Sequence, residues 1–522
     1  MLRSWIHRSP WVVALILLVA ISGVVEAQQY GGTLRVATEG DPVHLDLMIV
    51  TASNASTIGQ HVFDTLFVLD ENSAPIPLLL ESYERSEDGT YVSFTLRQGV
   101  LFHNGEELDA GDVIASLRRW LEYGVRGQVM APHVVDILAS ATDKYKFSIV
   151  FSAPFAPMEN LFAWNNGGPC IYLQEVAEVA GAEPIAEADY IGTGPYKFAE
   201  WVPGQYLRLV RFDDYQSPRG ASTGYGGQRN AFIDELLFIP VPEAATRVAG
   251  VRAGDYDYAI RLPQDLYPDL QANLAINTHL LTPPSFMQIF RNTKKGLMVN
   301  DKLFQAIRMA LDFEPILQST YGTLYELNGA LFPPGSIWYS DAGTELYNRA
   351  DPEAAMALAR EAGYNGETIR YVVSTTYHEH YNTGTVVADQ LTRAGFNIDL
   401  QLYDWATVVQ YRANPDLWDL FSSGHGPVPD PTLITCLNPN YPGWWDTARK
   451  TALVDEFTTT TGFDERYAVW EDLQALLYEE GSMIKTGDGY ILNISSAERV
   501  GGIDVEHQPA LLFPYFWNAW MK

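Results

Sequence analysis

Apolar residues recur along this chain with two alternating periods. In TYVSFTLRQGVLFHNGEELDAGDVIASLRRWLEY (90–123), Val92, Phe94 and Leu96 take every second place, the spacing of a strand with one buried face. Gly99 breaks that strand and His103-Asn104-Gly105 makes a tight turn. Asp109 then stands where a helix cap is needed, ahead of Val113, Leu117 and Trp120 at helical spacing. In DYIGTGPYKFAEWVPGQYLRLVRFDDY (189–215), Gly192, Gly194 and Pro195 bend the chain before Tyr196 and Phe198 open a strand. Pro203-Gly204 turns it, and Leu207 and Leu209 carry the return. PEAATRVAGVRAGDYDYAI (242–260) predicts a helix bearing Ala249, Val251 and Ala253, ended by Gly254 and followed by a short strand. The same order recurs over 290–316, where Phe304, Ile307, Met309 and Leu311 mark an apolar helix face, and over 351–373. GGTLRVATEGDP (31–42) predicts an edge strand and a loop. Helices and strands mixed in this way define an α/β class.

The first 27 residues stand apart. Arg3, His7 and Arg8 precede an apolar run from Trp11 to Val25, and a small residue, Ala27, ends it where a signal peptidase cuts. A mature chain from Gln28 to Lys522 is expected, exported and without a lipid anchor, since no cysteine stands at the cut. Nearly 500 residues exceed one core, so two or three compact units follow. The formal charge is −30, and loss of Arg3, Arg8 and Glu26 with the leader lowers it by one more unit. That balance argues against nucleic acid and anionic lipid as partners. Cys170 and Cys436 form no CxxC pair and no zinc cluster with histidine, and are expected to be buried free thiols.

Six ordered stretches then carry a resemblance. GGTLRVA, SFTLRQGVLFHNGEELDAGDV, GTGPYKFAEWVPGQYLRLVRFDDY, RVAGVRAGDYDYA, DKLFQAIRMALD and the helix ending EAGY resemble the extracytoplasmic solute-binding proteins of the dipeptide, oligopeptide and nickel class (family 5) over nearly the whole mature chain. The resemblance implies a two-lobed periplasmic-binding-protein fold with a hinge and three subdomains (class II, cluster C). One lobe would combine 28–65, 190–284 and 490–522, with 66–189 as its inserted subdomain, and 285–489 would form the other. It implies a monomeric periplasmic protein that closes on a small solute or peptide and hands it to the permease of an ABC importer, with no cofactor. A sensory partner built on the same scaffold, or a binder of a metal chelate, is the alternative.

The same resemblance gives expectations for the ligand. The aspartate that pairs with a peptide amine in relatives falls on Pro427 or Val428 in SSGHGPVPDP, and Asp430-Pro431 reads as a turn. The arginine that clamps a peptide carboxylate in dipeptide-binding relatives falls on Glu379, just before Tyr381-Asn382. Neither anchor for a free dipeptide is present. The expected ligand wall is Tyr377, His378, Glu379, His380, Tyr381 and His425, with Trp405, Trp164, Trp444 and Trp445 as aromatic supply. A carboxylate among rings suits a cationic or polyhydroxylated solute.

In TTYHEHYN (375–382), His378 and His380 would share one face of a strand and could both reach an ion, with His425 as a third nitrogen. The stretch lacks the HExxH spacing that aligns two histidines on a helix, so no metal site is assigned. The chain carries no GxSxG elbow, and Ser422, Ser423 and His425 offer only sequence proximity. A binding protein rather than an enzyme is the expectation.

Overall fold

A computed structural model describes residues 30–124, 126–503 and 513–522. The leader (1–27) lies outside them. The described residues build one eleven-stranded sheet, whose main path runs Ile398–Tyr403, Ile369–Ser374, Leu420–His425, Ile276–Arg291, Met483–Ser496, Tyr258–Leu262, Thr33–Thr38, Glu235–Pro240, Tyr206–Arg211, Tyr196–Val202. The short strand Tyr325–Glu326 pairs with Met483–Ser496 off this path. Thr33–Thr38, expected at an edge, lies instead between Glu235–Pro240 and Tyr258–Leu262 and runs parallel to both. Its alternation looks like an edge, but Leu34, Val36 and Ala37 are all fully buried.

Two long antiparallel strands, Ile276–Arg291 and Met483–Ser496, pass through the middle of the sheet and join its halves. Their register runs from Ile276 opposite Ser496 to Phe290 opposite Met483 and slips twice, between Leu281 and Ser285 and between Phe286 and Gln288. Pro283 and Pro284 carry no backbone N–H, so the ladder cannot continue through them. Gly487 takes φ +136° on the facing strand, where a Cβ would meet Leu317 at 2.5 Å. Past the slips the pleat sorts side chains cleanly. Met287, Ile289, Tyr371 and Leu420 join one core, while Phe286, Phe290, Val372 and Phe421 join another on the opposite face.

A separate antiparallel sheet, in the order Leu80–Arg85, Tyr91–Leu96, Lys146–Phe151, Val134–Ala139, buries Val92, Phe94 and Leu96 as their spacing predicts. Phe94 stacks on Phe147 with centroids 4.7 Å apart. The helix Ala110–Tyr123 begins at Asp109, whose carboxylate accepts from Gly111 N at 2.7 Å, and Asp112 returns the bond to Asp109 N at 3.0 Å. The hairpin at Pro203-Gly204 and the left-handed stop at Gly254 (φ +89°) also stand where the sequence puts them.

The helix Ala244–Ala253 differs in its buried face. Arg247, Val248, Gly250 and Val251 point inward, whereas Ala249 and Ala253 are exposed, because residues two apart cannot share one helical face. In the helix Asp301–Ala310, Phe304 and Ile307 are buried as expected and Met309 is half-buried, with Leu311 buried just past its end. Both cysteines are buried and unbridged, Cys170 in a core drawn mostly from the first 260 residues with Leu433 and the C-terminal Tyr515–Trp517, and Cys436 in a different core.

Candidate functional site

Beside the slipped register of the two long strands lies a cavity of about 430 Å³. Thr282, Pro284 and Phe286 of one long strand and Tyr490 of the other form its floor. One wall is the turn Glu71-Asn72-Ser73, and the others are the loop Leu331–Trp338 and the segment His425–Pro429. The volume lies at the small end of the ~300–1,000 Å³ usual for ligand pockets. Rigidity behind these walls comes from indole bonds. Trp338 Nε1 donates to Pro429 O at 3.1 Å, and Trp470 Nε1 donates to Trp338 O at 2.8 Å.

His425 ends its strand stacked on Phe286, with centroids 5.0 Å apart and planes within 3°. Burial pushes its pKa down to about 4, opposed by a bond to the Gly426 carbonyl 2.5 Å from Nδ1. The ring is therefore neutral near pH 7, and the carbonyl partner puts the proton on Nδ1 and leaves Nε2 as an acceptor. Pro427 and Val428 line the same cavity, so no carboxylate stands where an amine-binding aspartate was sought. Asp430 is fully buried and spends its oxygens on Arg466 Nη2 (2.9 Å), Asn160 Nδ2 (3.1 Å) and Thr432 N (3.0 Å). It fixes a turn, as expected of Asp430-Pro431, and also ties Asn160 across from the other side.

The TTYHEHYN stretch is built differently from the strand-based expectation. The strand Ile369–Ser374 stops early, Tyr377 takes the N-cap position, and His378 opens the helix His378–Ala394. Residues two apart on a helix diverge by about 200°. His380 accordingly turns inward and is 8% exposed, while His378 faces out with Nδ1 3.4 Å from Glu379 Oε2. They cannot grip one ion together, and among the described residues no group of three or more His, Cys, Asp or Glu side chains gathers as a metal site.

Tyr377, His380 and Trp405 do meet, with His380 edge-on to Trp405 at 5.1 Å and Tyr377 5.3 Å from His380. Arg412 caps the Trp405 ring at 5.2 Å. Burial holds His380 down to about 4, with Glu379 pulling the other way. His378 Nε2 lies 3.3 Å from Gln264 Oε1, a contact between distant parts of the chain. Tyr381 is 42% exposed. Tyr377, His378, Glu379, His380, Tyr381 and Trp405 do not line the 430 Å³ cavity; of the expected ligand wall only His425 does. Trp164 is buried in the same core as Cys170 and does not line the cavity, its Nε1 without a hydrogen-bond partner among the described residues, and Trp444 and Trp445 pack in another core.

The sequence profile of the bacterial extracellular solute-binding proteins, family 5 (middle region), matches residues 74–444, well over half of the chain. The chain belongs to this family. A probable peptide ABC transporter periplasmic-binding protein of Sinorhizobium fredii is 27% identical over 505 residues, covering 93% of both chains. Heme-binding protein A of Haemophilus influenzae is 25% identical, over 84% of this chain and 83% of its own. Among solved structures, the periplasmic binding protein DppA of Helicobacter pylori in complex with peptide STSA superposes with a TM-score of 0.80. It is 20% identical and covers 94% of this chain and 98% of its own. AgaA of A. tumefaciens in complex with agropinic acid gives 0.79 at 24% identity, over 94% and 99%. The mixed α/β architecture is thus that of periplasmic binding proteins.

Behind the cavity floor of this family-5 protein, packed against Phe286, lies a buried ion pair that sequence reasoning missed. Lys485 and Asp488 are each 1% exposed at the side chain and pair at 2.5 Å in the second register slip. Lys485 also donates to Ala330 O and lies 4.9 Å over Phe286, and Asn328 donates to Asp488 at 2.6 Å. Burial raises the Asp488 carboxyl and lowers the Lys485 ammonium, each opposed by the other. Glu326 accepts from the Tyr490 hydroxyl at 2.6 Å at the cavity rim. The signal was present in MIKTGDGYIL (483–492), where two charges interrupt an apolar strand. Trp338 and Tyr490 carried no comparable sign.

Proposed function

We propose that the chain captures a small organic solute, a short peptide or a compound of similar size, between two lobes and delivers it to the permease of an ABC importer. The cavity carries this reading. Its walls come from residues 71–73 on one side and from Glu326, 331–338 and 425–429 on the other, with the two long strands as its floor. The lobes would be 28–65 with 190–284 and 490–522, carrying 66–189 as an insert, and 285–489. The chain would then cross between them only along the two long strands, where prolines and a glycine interrupt pairing. A link of two interrupted strands bends at small cost, so a solute touching both walls stabilises the closed form. Relatives whose names specify peptides or heme support an organic ligand. Export through the N-terminal leader, a monomeric state and the absence of catalysis belong to the same proposal.

The test is native mass spectrometry of the purified protein, followed by denaturation to release any bound solute. Refolded, stripped protein is then examined by small-angle scattering with and without that solute. A decrease in radius without turnover is expected, and conversion of the solute to a product on incubation would overturn the reading.

A further inference from the structure

We infer that the buried pair Lys485–Asp488 is the positioning element of the solute cavity: it fixes the wall Leu331–Trp338 against the floor, and solute affinity depends on that placement. This rests on the capture reading above and names the residues that set the shape of its site. The pair owes its existence to the second register slip. Phe286 stands opposite Asp488 and Gln288 opposite Lys485, so Met287 alone faces both Thr486 and Gly487. Two residues against one make a bulge. Residues three apart on a regular strand face opposite sides. Across the bulge, Lys485 and Asp488 instead share the Phe286 face and meet at 2.5 Å, each side chain 1% exposed.

Both partners reach into the segment that leads to the wall. The backbone ladder of that segment ends at Glu326, opposite Asp488, and the hold on 328–331 passes to side chains. Lys485 Nζ donates to Ala330 O, and Asn328 Nδ2 donates to Asp488 at 2.6 Å. Asn328 Oδ1 accepts from Ala330 N at 3.0 Å, which closes the circuit. The Tyr478 hydroxyl donates to Gly329 O at 2.7 Å, and Leu331 N donates to Gln474 Oε1 at 3.0 Å. A Cβ at Gly329 would stand 2.7 Å from the Tyr347 ring, so the chain lies too close for a larger residue. Lys485 Nζ also lies 4.9 Å over the ring of Phe286, the floor residue that stacks on His425. One ammonium thus touches both the floor and the root of the wall. Apolar residues of similar volume often replace a buried ion pair without loss of stability, but they supply no directed bond to a carbonyl. Placement of the wall, rather than stability, is what the charges provide.

The experiment compares stripped and refolded wild type with the double variant Lys485→Met, Asp488→Leu. Amide hydrogen exchange is read by mass spectrometry over 328–338, with 369–374 as the control, and capture from a pool of tetrapeptides is read by native mass spectrometry. The double variant should keep the wild-type urea midpoint and the control exchange. Its exchange over 328–338 should rise about tenfold, and its capture should fall about tenfold. A merely structural pair would shift the midpoint and quicken exchange in both segments together. Unchanged exchange over 328–338, or unchanged capture by a variant whose wall exchanges faster, overturns the assignment and leaves solute capture standing. Wild type that captures nothing from the pool counts against peptide capture, and the exchange arm then decides the clamp alone. Should the double variant fail to fold, Asn328→Ala takes its place. It breaks the bond to Asp488 and leaves the ion pair, so exchange about threefold faster over 328–338 supports the clamp and the wild-type rate overturns it.

Discussion

Asp430 offers the sharpest test of how the site is held. Its side chain is fully buried and serves four groups: Arg466 at 2.9 Å, Asn160 at 3.1 Å, and the amide and hydroxyl of Thr432 at 3.0 and 2.7 Å. In Asp430→Ala, Arg466 stays buried with the Phe457 carbonyl at 2.9 Å and the rings of Phe457 and Trp338 at 4.0 and 5.1 Å, but without a counter-charge. Breaking a buried pair costs about 3–5 kcal/mol, and losing a helix cap costs about 1 kcal/mol. One carboxylate supplies both, so the terms do not simply add, and a loss of about 4 kcal/mol is expected. With an unfolding entropy of ~2.1 cal/mol/K per residue, a unit of about 200 residues melting alone would drop by roughly 10 °C, and a chain of about 490 residues melting together by roughly 4 °C.

Urea unfolding followed by tryptophan fluorescence measures the loss directly. Asp430→Asn keeps the cap and should lose less, and Asp430→Ala with Arg466→Met should recover part of the loss by removing the stranded charge. A cost below about 1 kcal/mol for Asp430→Ala would refute the reasoning.

Three further outcomes follow from the same structure. Asn160→Ala removes one bond to Asp430 and leaves Ala156 N to Thr458 O at 2.9 Å as a neighbouring contact. It should weaken solute affinity about three- to tenfold by calorimetry with a stability change under about 1.5 kcal/mol, and unaltered affinity would deny that the contact belongs to the closed form. Burial pushes His61 down to about 3 and His103, His279, His380 and His425 to about 4. The unfolded chain, titrating near 6.5, then binds more protons than the native one. Stability should be full above about pH 6.5 and fall toward pH 4 by up to about 1.4 kcal/mol per pH unit for each histidine, and a flat urea midpoint from pH 7 to 5 would contradict it. Burial also pushes the Cys436 thiol up to about 12 and raises the Cys170 thiol well above its ordinary value, so neither should react with a thiol reagent until the protein unfolds, when two should appear without reductant.

The sequence by itself determined the local elements, because their causes are local. Alternation at Val92, Phe94 and Leu96, the Asp109 cap and the Gly254 stop each act within a few residues, and each stands in the structure where its chemistry puts it. Motif order likewise carried the family, and with it the fold class. Thr33–Thr38 shows where local pattern fails, since whether a strand is central depends on partners about 200 residues away.

His378, Glu379 and His380 show the same limit at the site. Two-residue spacing means one face on a strand and opposed faces on a helix, and only packing against Trp405 and Gln264 decides which holds. Tertiary structure alone brought Glu71, Phe286, Trp338, His425 and Tyr490 around one cavity. A cavity is a property of what surrounds each residue, and in a protein divided by long excursions of the chain those surroundings come from far along the sequence.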